Sequence, residues 1–405
     1  MTKAVRKEIA IFSQFYDPEP CAASNRVASL ARSLAGRGHY VTVVTGMPTF
    51  PKGIVDASYR GIKGCVEYDG PVRIVRRRAP LAEPGALASR LRNWVSLALV
   101  LTWTALVELR HTDTVIVSSP PITMAIPALV ASWRHAATLV VDVRDVFPEM
   151  GVRLGVWSSR SLVVRALDRF VKLLYARAAI VVAVTQSARE SILARGVPPQ
   201  RVVLAPNGFD FSQEIKPRGR RQQRRTFEVA YAGNMGLATG LDMVLDAAKL
   251  LLDRRDVRFV LAGGGLDASR LVERIERERL TNVRFLGVLS RPESLELLAE
   301  SDAAIVPLHA GLIDAIPSKM FDALAVGCPM ILSARGEAVQ LLRASGCGIH
   351  VEPNDARALA GGIERCLAER DALERGALAG QAFVRENFDR ERIMRGLARE
   401  IGALA

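Results

Sequence analysis

Cysteines, aromatics and lysines are all scarce in this chain, and each scarcity excludes something. Five cysteines in 405 residues (Cys21, Cys65, Cys328, Cys347, Cys366) form no C-x-x-C pair and no Cys/His cluster at metal-ligand spacing. An odd, scattered set of thiols argues against a disulfide framework and for a reducing cytoplasm. Aromatics are 6% of the chain and do not interleave with the cations, as a nucleic-acid surface would require, so no nucleic-acid partner is expected. No Asp-x-Asp occurs, no Gly-Lys-Ser/Thr element completes a phosphate-binding Walker loop, and no Ser/His/Asp or Cys/His arrangement is readable. The apolar run from Ile9 to Phe12 is far shorter than a secretory h-region, so no signal peptide is expected.

What is present is an ordinary globular balance, 49% hydrophobic and 24% charged, at a length that suggests two domains. Net charge is +13, from 55 basic and 42 acidic residues, and only eight of the basic residues are lysine. Such a balance favours anionic partners, phosphates or lipid headgroups. Much of it also fits solvated helix faces, because Glu and Asp accompany the arginines along amphipathic segments.

Short β-rich runs alternate with helical stretches almost to the end. Strands are expected at 8–12, 40–45, 115–118, 138–141, 180–184 and 202–205, with helices at 24–36, 90–110, 121–134, 160–178 and 187–195. The alternation restarts with strands at 228–232, 258–262, 283–285, 303–306 and 330–332. Between the two series, residues 212–226 carry Lys216, Arg218, Arg220, Arg221, Arg224 and Arg225 with no apolar periodicity, the composition of a solvated linker. The pattern implies an α/β protein of two Rossmann-like domains facing across a cleft, with ligands at the carboxyl ends of the strands.

One segment departs from this pattern. Residues 93–107 are fifteen uncharged residues that include Trp94 and Trp103, preceded by Arg73, Arg76, Arg77, Arg78 and Arg90. Fifteen is short of the roughly 20 residues of a spanning helix. A buried helix of the first domain, or a helix lying on an anionic membrane surface through residues 73–107, are both compatible with it.

Three glycine turns follow successive strands of the second half: Gly233 and Asn234 after 228–232, Gly263-Gly264-Gly265 after 258–262, and Gly287-Val288 after 283–285. Glycine at such turns lets backbone N–H groups approach a phosphate, although tight packing alone would also select it. The strongest constellation runs from Asp314 to Asp322. Pro317 or Ser318 reads as a helix start, so N–H groups near Ser318 and Lys319 would sit at a positive helix end with the Lys319 charge added, an anion site. Asp322, one turn on, is placed to accept ribose hydroxyls, and Asp314 to bond a sugar hydroxyl; two ordinary acids near a helix start is the bland alternative.

With these segments in hand, the chain resembles the retaining family 4 glycosyltransferases of GT-B fold. The resemblance is carried by Pro206-Asn-Gly-Phe-Asp210, Tyr231-Ala-Gly-Asn234, Leu261-Ala-Gly-Gly-Gly265, Phe285-Leu-Gly287 and the acid pair spaced by seven residues. Phe15-Tyr-Asp-Pro-Glu-Pro20, Asp142-Val-Arg-Asp-Val-Phe-Pro-Glu149 and Ile316-Pro-Ser-Lys-Met-Phe321 look most like the bacterial WbuB and WcaI type, which build O-antigen, capsule or exopolysaccharide units.

The resemblance implies that Gly287 and Val288 meet the base, Asp322 the ribose, Pro317, Ser318 and Lys319 the diphosphate with Gly233, Asn234 and Gly263 to Gly265, and Asp314 the donor sugar. Lys319, Asp314 and Asp145 are the expected catalytic residues, and Glu19, Asn25 and Arg26 the expected acceptor side. The family's usual acid pair is Glu with Glu, here Asp314 with Asp322. Its usual Arg and Lys beside the diphosphate match Asn234 and Thr239, which leaves Lys319 as the cation. None of the five histidines falls where many relatives place one, and Asp145 stands nearest that position.

The domains implied are 1–211, acceptor-binding; 212–226, the linker; and 227–384, nucleotide-sugar-binding, with a C-terminal helix over 385–405 packing back on the first. The expected activity is transfer of a hexose or N-acetyl-hexosamine from a nucleotide diphosphate sugar, UDP-linked first among candidates, to a lipid-linked saccharide, with neither cofactor nor metal. The expected location is cytoplasmic, at the inner face of the membrane. Two rivals stay open: a sugar-nucleotide 2-epimerase of the same fold, and a non-enzymatic sugar-nucleotide-binding subunit.

Overall fold

The computed structural model describes residues 6–50, 53–81, 87–109, 111–212 and 226–404. Of the linker expected over 212–226, only Ser212 and Thr226 are among them. The chain divides into two compact units, Met1–Asn207 with Arg390–Ala405, and Gly208–Asp389. The division falls ahead of the basic segment because Phe209 already belongs to the second unit, its N–H donating to Phe388 O at 2.8 Å.

The first unit runs β1 (Glu8–Phe12), α1 (Ala22–Gly36), β2 (Tyr40–Gly46), β3 (Gly64–Asp69), β4 (Val72–Arg77), α2 (Leu87–Val107), β5 (Thr114–Ser119), α3 (Ala125–His135), β6 (Thr138–Val143), α4 (Glu149–Arg153), α5 (Leu162–Arg177), β7 (Ile180–Ala183), α6 (Gln186–Leu193) and β8 (Val202–Leu204). Its sheet has the order β3-β4-β2-β1-β5-β6-β7-β8, parallel except for the β3–β4 pair. The inner strands are near-continuous Val/Ile runs buried on both faces, as helices on both sides of a parallel sheet demand.

The second unit continues with β9 (Phe227–Ala232), α7 (Leu241–Leu250), β10 (Val257–Ala262), α8 (Ala268–Arg277), β11 (Val283–Gly287), α9 (Arg291–Glu300), β12 (Ala303–Pro307), α10 (Ser318–Ala325), β13 (Met330–Ser333), α11 (Glu337–Ser345), β14 (Gly348–Val351), α12 (Ala356–Ala368) and α13 (Arg370–Asn387). Its sheet is wholly parallel, in the order β11-β10-β9-β12-β13-β14. The last helix, α14 (Arg390–Gly402), returns to the first unit, where Met394, Leu397, Ala398 and Ile401 join the core beneath α1.

Strand order reverses between β1 and β5 in the first sheet and between β9 and β12 in the second. At such switch points neighbouring loops leave in opposite directions and open a crevice at the carboxyl ends of the strands. In the second sheet β9 and β12 pair only through Ala303 with Val229 and Ala304 with Ala230.

Three features differ from the sequence expectation. Strands β3, β4 and β14 were not foreseen. In β4 arginines interrupt the apolar alternation, and β14 is only four residues long. Within the arginine cluster two cations are held in ion pairs: Arg76 is 1% exposed and pairs with Glu67 on β3 at 2.8 Å, and Arg77 pairs with Glu108, while Arg78 is exposed. Helix α2 is neither wholly buried nor wholly surface. Leu97, Ala98, Leu101 and Ala105 enter the core, while Leu91, Val95, Leu99, Trp103 and Val107 form an exposed stripe at four-residue intervals.

Candidate active site

The switch point of the second sheet gathers the glycine turns and the Asp314 to Asp322 segment. Met235 N–H donates to Gly264 O at 2.8 Å and Gly263 N–H to Gly287 O at 2.7 Å, so the turns after β9, β10 and β11 are laced together. Their closeness requires glycine. At Gly263, with φ +142°, a Cβ would lie 1.9 Å from Gly233 O. At Gly265 it would lie 2.6 Å from Asn234 Oδ1, and at Gly264 2.8 Å from Val288 Cγ2.

Lys319 lies across this floor. Its Nζ is 5.2 Å from the centre of the buried Tyr231 ring, and a Cβ on Gly233 would meet its Cε at 2.4 Å. The Tyr231 hydroxyl in turn donates to Asn234 O. Lys319 is the second residue of α10, whose N-cap, Pro317, provides no side-chain hydrogen bond to the helix start. A lysine ammonium and the amino end of a helix therefore converge beside the glycine turns, an arrangement that stabilises a phosphate anion.

Asp314 precedes α10 in a turn tied to the start of α11, where Glu337 N–H donates to Ile313 O at 3.1 Å. That contact requires Gly336, whose Cβ would lie 2.0 Å from Ile313 O. Asp322 is held in a bidentate pair by Arg291, at 2.7 and 2.9 Å. Arg291 carried no recognisable signal in the sequence, because its partner lies on a different helix. Thr239, matched by the resemblance to a diphosphate cation, is buried and closes its own turn, donating to Gly236 O at 2.7 Å.

In the first unit the structure corrects two expected acceptor residues. Arg26 is 1% exposed. Its Nε and Nη2 hold the equally buried Asp142 at 2.9 and 2.7 Å, and its Nη1 donates to Ala205 O at 2.8 Å, so it clamps α1 to β6 and the segment after β8. Glu19 is also buried, its Oε1 accepting the N–H groups of Thr49 and Phe50 at 2.8 and 3.0 Å. Burial pushes its pKa up to about 7, while those backbone donors and Arg76 pull it down. Both side chains are buried, and neither lines the cavity at this end of the sheet. Asn25 sits half-buried on α1.

What lies at the carboxyl ends of β1, β2, β5 and β6 is a cavity of about 330 Å³ lined by Phe15, Thr49, Phe50, Trp94, Pro120 and Arg144, among others. Glu19 thus fixes two residues of its wall. Phe15 and Phe50 meet edge to face, their centroids 6.1 Å apart. Arg144 Nε donates to Ser118 Oγ at 3.0 Å, and burial depresses its pKa while Asp145 and Asp142 support the charge. Asp145 is partly buried, which raises its pKa against the pull of Arg144. Of these wall residues, Phe15 and Arg144 lay inside segments that carried the resemblance, and Trp94 inside the uncharged run, but their convergence needed the fold.

Comparison with known proteins agrees with this architecture. Residues 22–208 match the glycosyl transferase 4-like domain, and residues 212–381 match the glycosyl transferases group 1 family. The chain is 23% identical over 410 residues to the putative colanic acid biosynthesis glycosyl transferase WcaI of Escherichia coli, covering 97% of this chain and 99% of the relative. It is 25% identical over 264 residues to the probable glycosyltransferase WbjE of Pseudomonas aeruginosa, covering 62% and 64% of the two chains. Among solved structures, Anabaena HepE in complex with UDP and glucose superposes with a TM-score of 0.69 at 17% identity, over 98% of this chain and all of that one. Sucrose-phosphate synthase from Thermosynechococcus elongatus does so with a TM-score of 0.73 at 20% identity, over 98% of each. The chain belongs to the GT-B glycosyltransferases, with a glycosyl transferase 4-like domain followed by a group 1 domain.

Proposed function

We propose that the protein is a retaining transferase that binds a nucleotide diphosphate sugar in its second unit and passes the sugar to a lipid-linked saccharide bound by its first, in extracellular polysaccharide assembly. The observation that carries this reading is Lys319, laid over Gly233 beside the amino end of α10. In the reaction the acceptor hydroxyl oxygen forms a bond to the anomeric carbon as the bond from that carbon to the β-phosphate oxygen breaks. The electron pair leaves on the diphosphate, which Lys319 and the helix-end N–H groups stabilise, and the acceptor proton passes to the same diphosphate. Charge stabilisation of this kind calls for neither a protein nucleophile nor a metal ion.

In this reading Gly287 and Val288 meet the base, Asp322 the ribose and Asp314 the donor sugar. In the cavity of the first unit, aromatic walls suit the apolar faces of a saccharide, and Arg144 suits an acceptor phosphate. UDP is the expected nucleotide, supported by the UDP bound in HepE. A polysaccharide role is supported by the relation to WcaI. Calorimetric titration with UDP, GDP, ADP and dTDP, each with and without a chelator, tests the donor assignment. Selective binding of UDP, unchanged by the chelator, is expected; binding of none would overturn the reading.

A lipid-linked acceptor implies work at a membrane surface. Among the described residues no helix is long and apolar enough to cross a membrane. The α2 stripe suits shallow insertion instead: Leu99 and Trp103 are 62% and 68% exposed, α2 contains no acid, and Arg92 is exposed beside them. On α3, Trp133 and Arg134 are exposed as well. Co-sedimentation with phosphatidylglycerol vesicles is expected, weaker with neutral vesicles, and lowered about tenfold by Leu99→Glu with Trp103→Glu. Equal binding by that variant would remove α2 from the reading.

A further inference from the structure

We propose that Arg291 is a positioning residue of the donor site, holding the Asp322 carboxylate oriented for the ribose hydroxyls. The inference rests on the reading above that Asp322 meets the ribose. Aspartate reaches one methylene less far than the glutamate usual in the family, so where its carboxylate points matters more. In this chain the orientation is set by a fork: Arg291 Nη1 and Nη2 donate to the two Asp322 oxygens at 2.9 and 2.7 Å. A bidentate guanidinium fixes the plane of a carboxylate and uses one lone pair of each oxygen, leaving the other on each to accept a hydroxyl.

Arg291 is itself held on three sides. It is the first residue of α9, whose start is locked by a capping box in which Ser290 N–H donates to Glu293 at 2.7 Å. Its guanidinium stands over the buried Phe209 ring, 5.3 Å from the centroid, with the Asp210 charge close by. It also follows Gly287 and Val288 by only three residues, so the loop assigned to the base and the carboxylate assigned to the ribose are joined through this one side chain. Without it, Asp322, whose side chain is 16% exposed, would be a poorly solvated carboxylate with no partner to fix its plane, and would turn away.

A purely structural tie between α9 and α10 would alter melting but not the recognition of one hydroxyl, so the test reads ribose discrimination. The unmodified full chain is titrated with UDP and with 2′-deoxy-UDP, alongside Arg291→Ala, Arg291→Lys, Asp322→Ala and the double variant Arg291→Ala/Asp322→Ala. Arg291→Ala is expected to weaken UDP about tenfold and 2′-deoxy-UDP about twofold at most, raising the donor KM while kcat at saturating donor holds within about twofold. Arg291→Lys should restore part of the preference, and the double variant should bind UDP no more weakly than Asp322→Ala.

If Asp322→Ala leaves the UDP preference intact, or the unmodified chain binds no UDP, the ribose reading fails and takes this inference with it. If Asp322→Ala abolishes the preference while Arg291→Ala keeps it, the ribose reading survives and the role given to Arg291 is overturned. Should Arg291→Ala not fold, the comparison of Arg291→Lys with the unmodified chain decides the same point.

Discussion

Lys319→Ala is expected to lower kcat by about 10² to 10³-fold, the loss typical when one preorganised donor to a developing anion is removed. Folding should change little. The side chain is half-buried on the protein surface, and its cation–π contact with Tyr231 is of a kind that contributes about 1 kcal/mol. The helix-end N–H groups remain in the variant, so donor affinity should fall less than turnover. Lys319→Arg should recover little activity, because a planar, delocalised guanidinium does not present the compact point charge that the lysine ammonium places over Gly233. Steady-state kinetics with melting curves on both variants checks this, and unchanged kcat in Lys319→Ala would sink the phosphate assignment.

Arg26→Met carries the largest expected effect on stability. The substitution keeps an apolar stem of similar length but leaves Asp142 as an uncompensated charge in the core, a change that costs about 3 to 5 kcal/mol. In a unit of this size that corresponds to a fall in Tm on the order of 10 °C. It also frees the carbonyls of Ala205 and Pro206 where the chain leaves the first unit. Arg26→Met with Asp142→Leu should regain part of the loss, since a pair of apolar residues leaves no buried charge behind. UDP titration of the second unit's site should be unaffected. Normal melting with a raised acceptor KM would instead restore Arg26 to the acceptor surface.

These two residues show where sequence reading succeeds and where it stops. The place of Lys319 at a helix start beside the glycine turns was legible because its signal is local: a proline, a serine and a lysine, following an acid, after a series of glycine turns. Arg26 was misread because burial is not local. The resemblance set Arg26 on the acceptor side, and only the packing of α1 against β6 sets Asp142 opposite it. Arg76 misled for the same reason, being one of a run of cations in the sequence and a buried ion pair in the sheet. The glycines fall between these cases. Their positions at strand ends were plain, but that a Cβ at 263 would strike Gly233 O follows only from β9 and β10 lying side by side.

Taken alone, the sequence determined the class of fold and which strand ends carry the glycine turns. Alternation of apolar runs with amphipathic stretches leaves few ways to bury both faces of a parallel sheet, and turn chemistry is written within a few residues. Tertiary structure alone decided which charges are buried, that Arg291 rather than solvent faces Asp322, and that Phe15, Phe50, Trp94 and Arg144 share one cavity. Those facts depend on strand order and helix packing, which join residues tens to hundreds of positions apart. No spacing within a window of sequence encodes such a contact, because its energy is realised only once both partners have been brought out of water together.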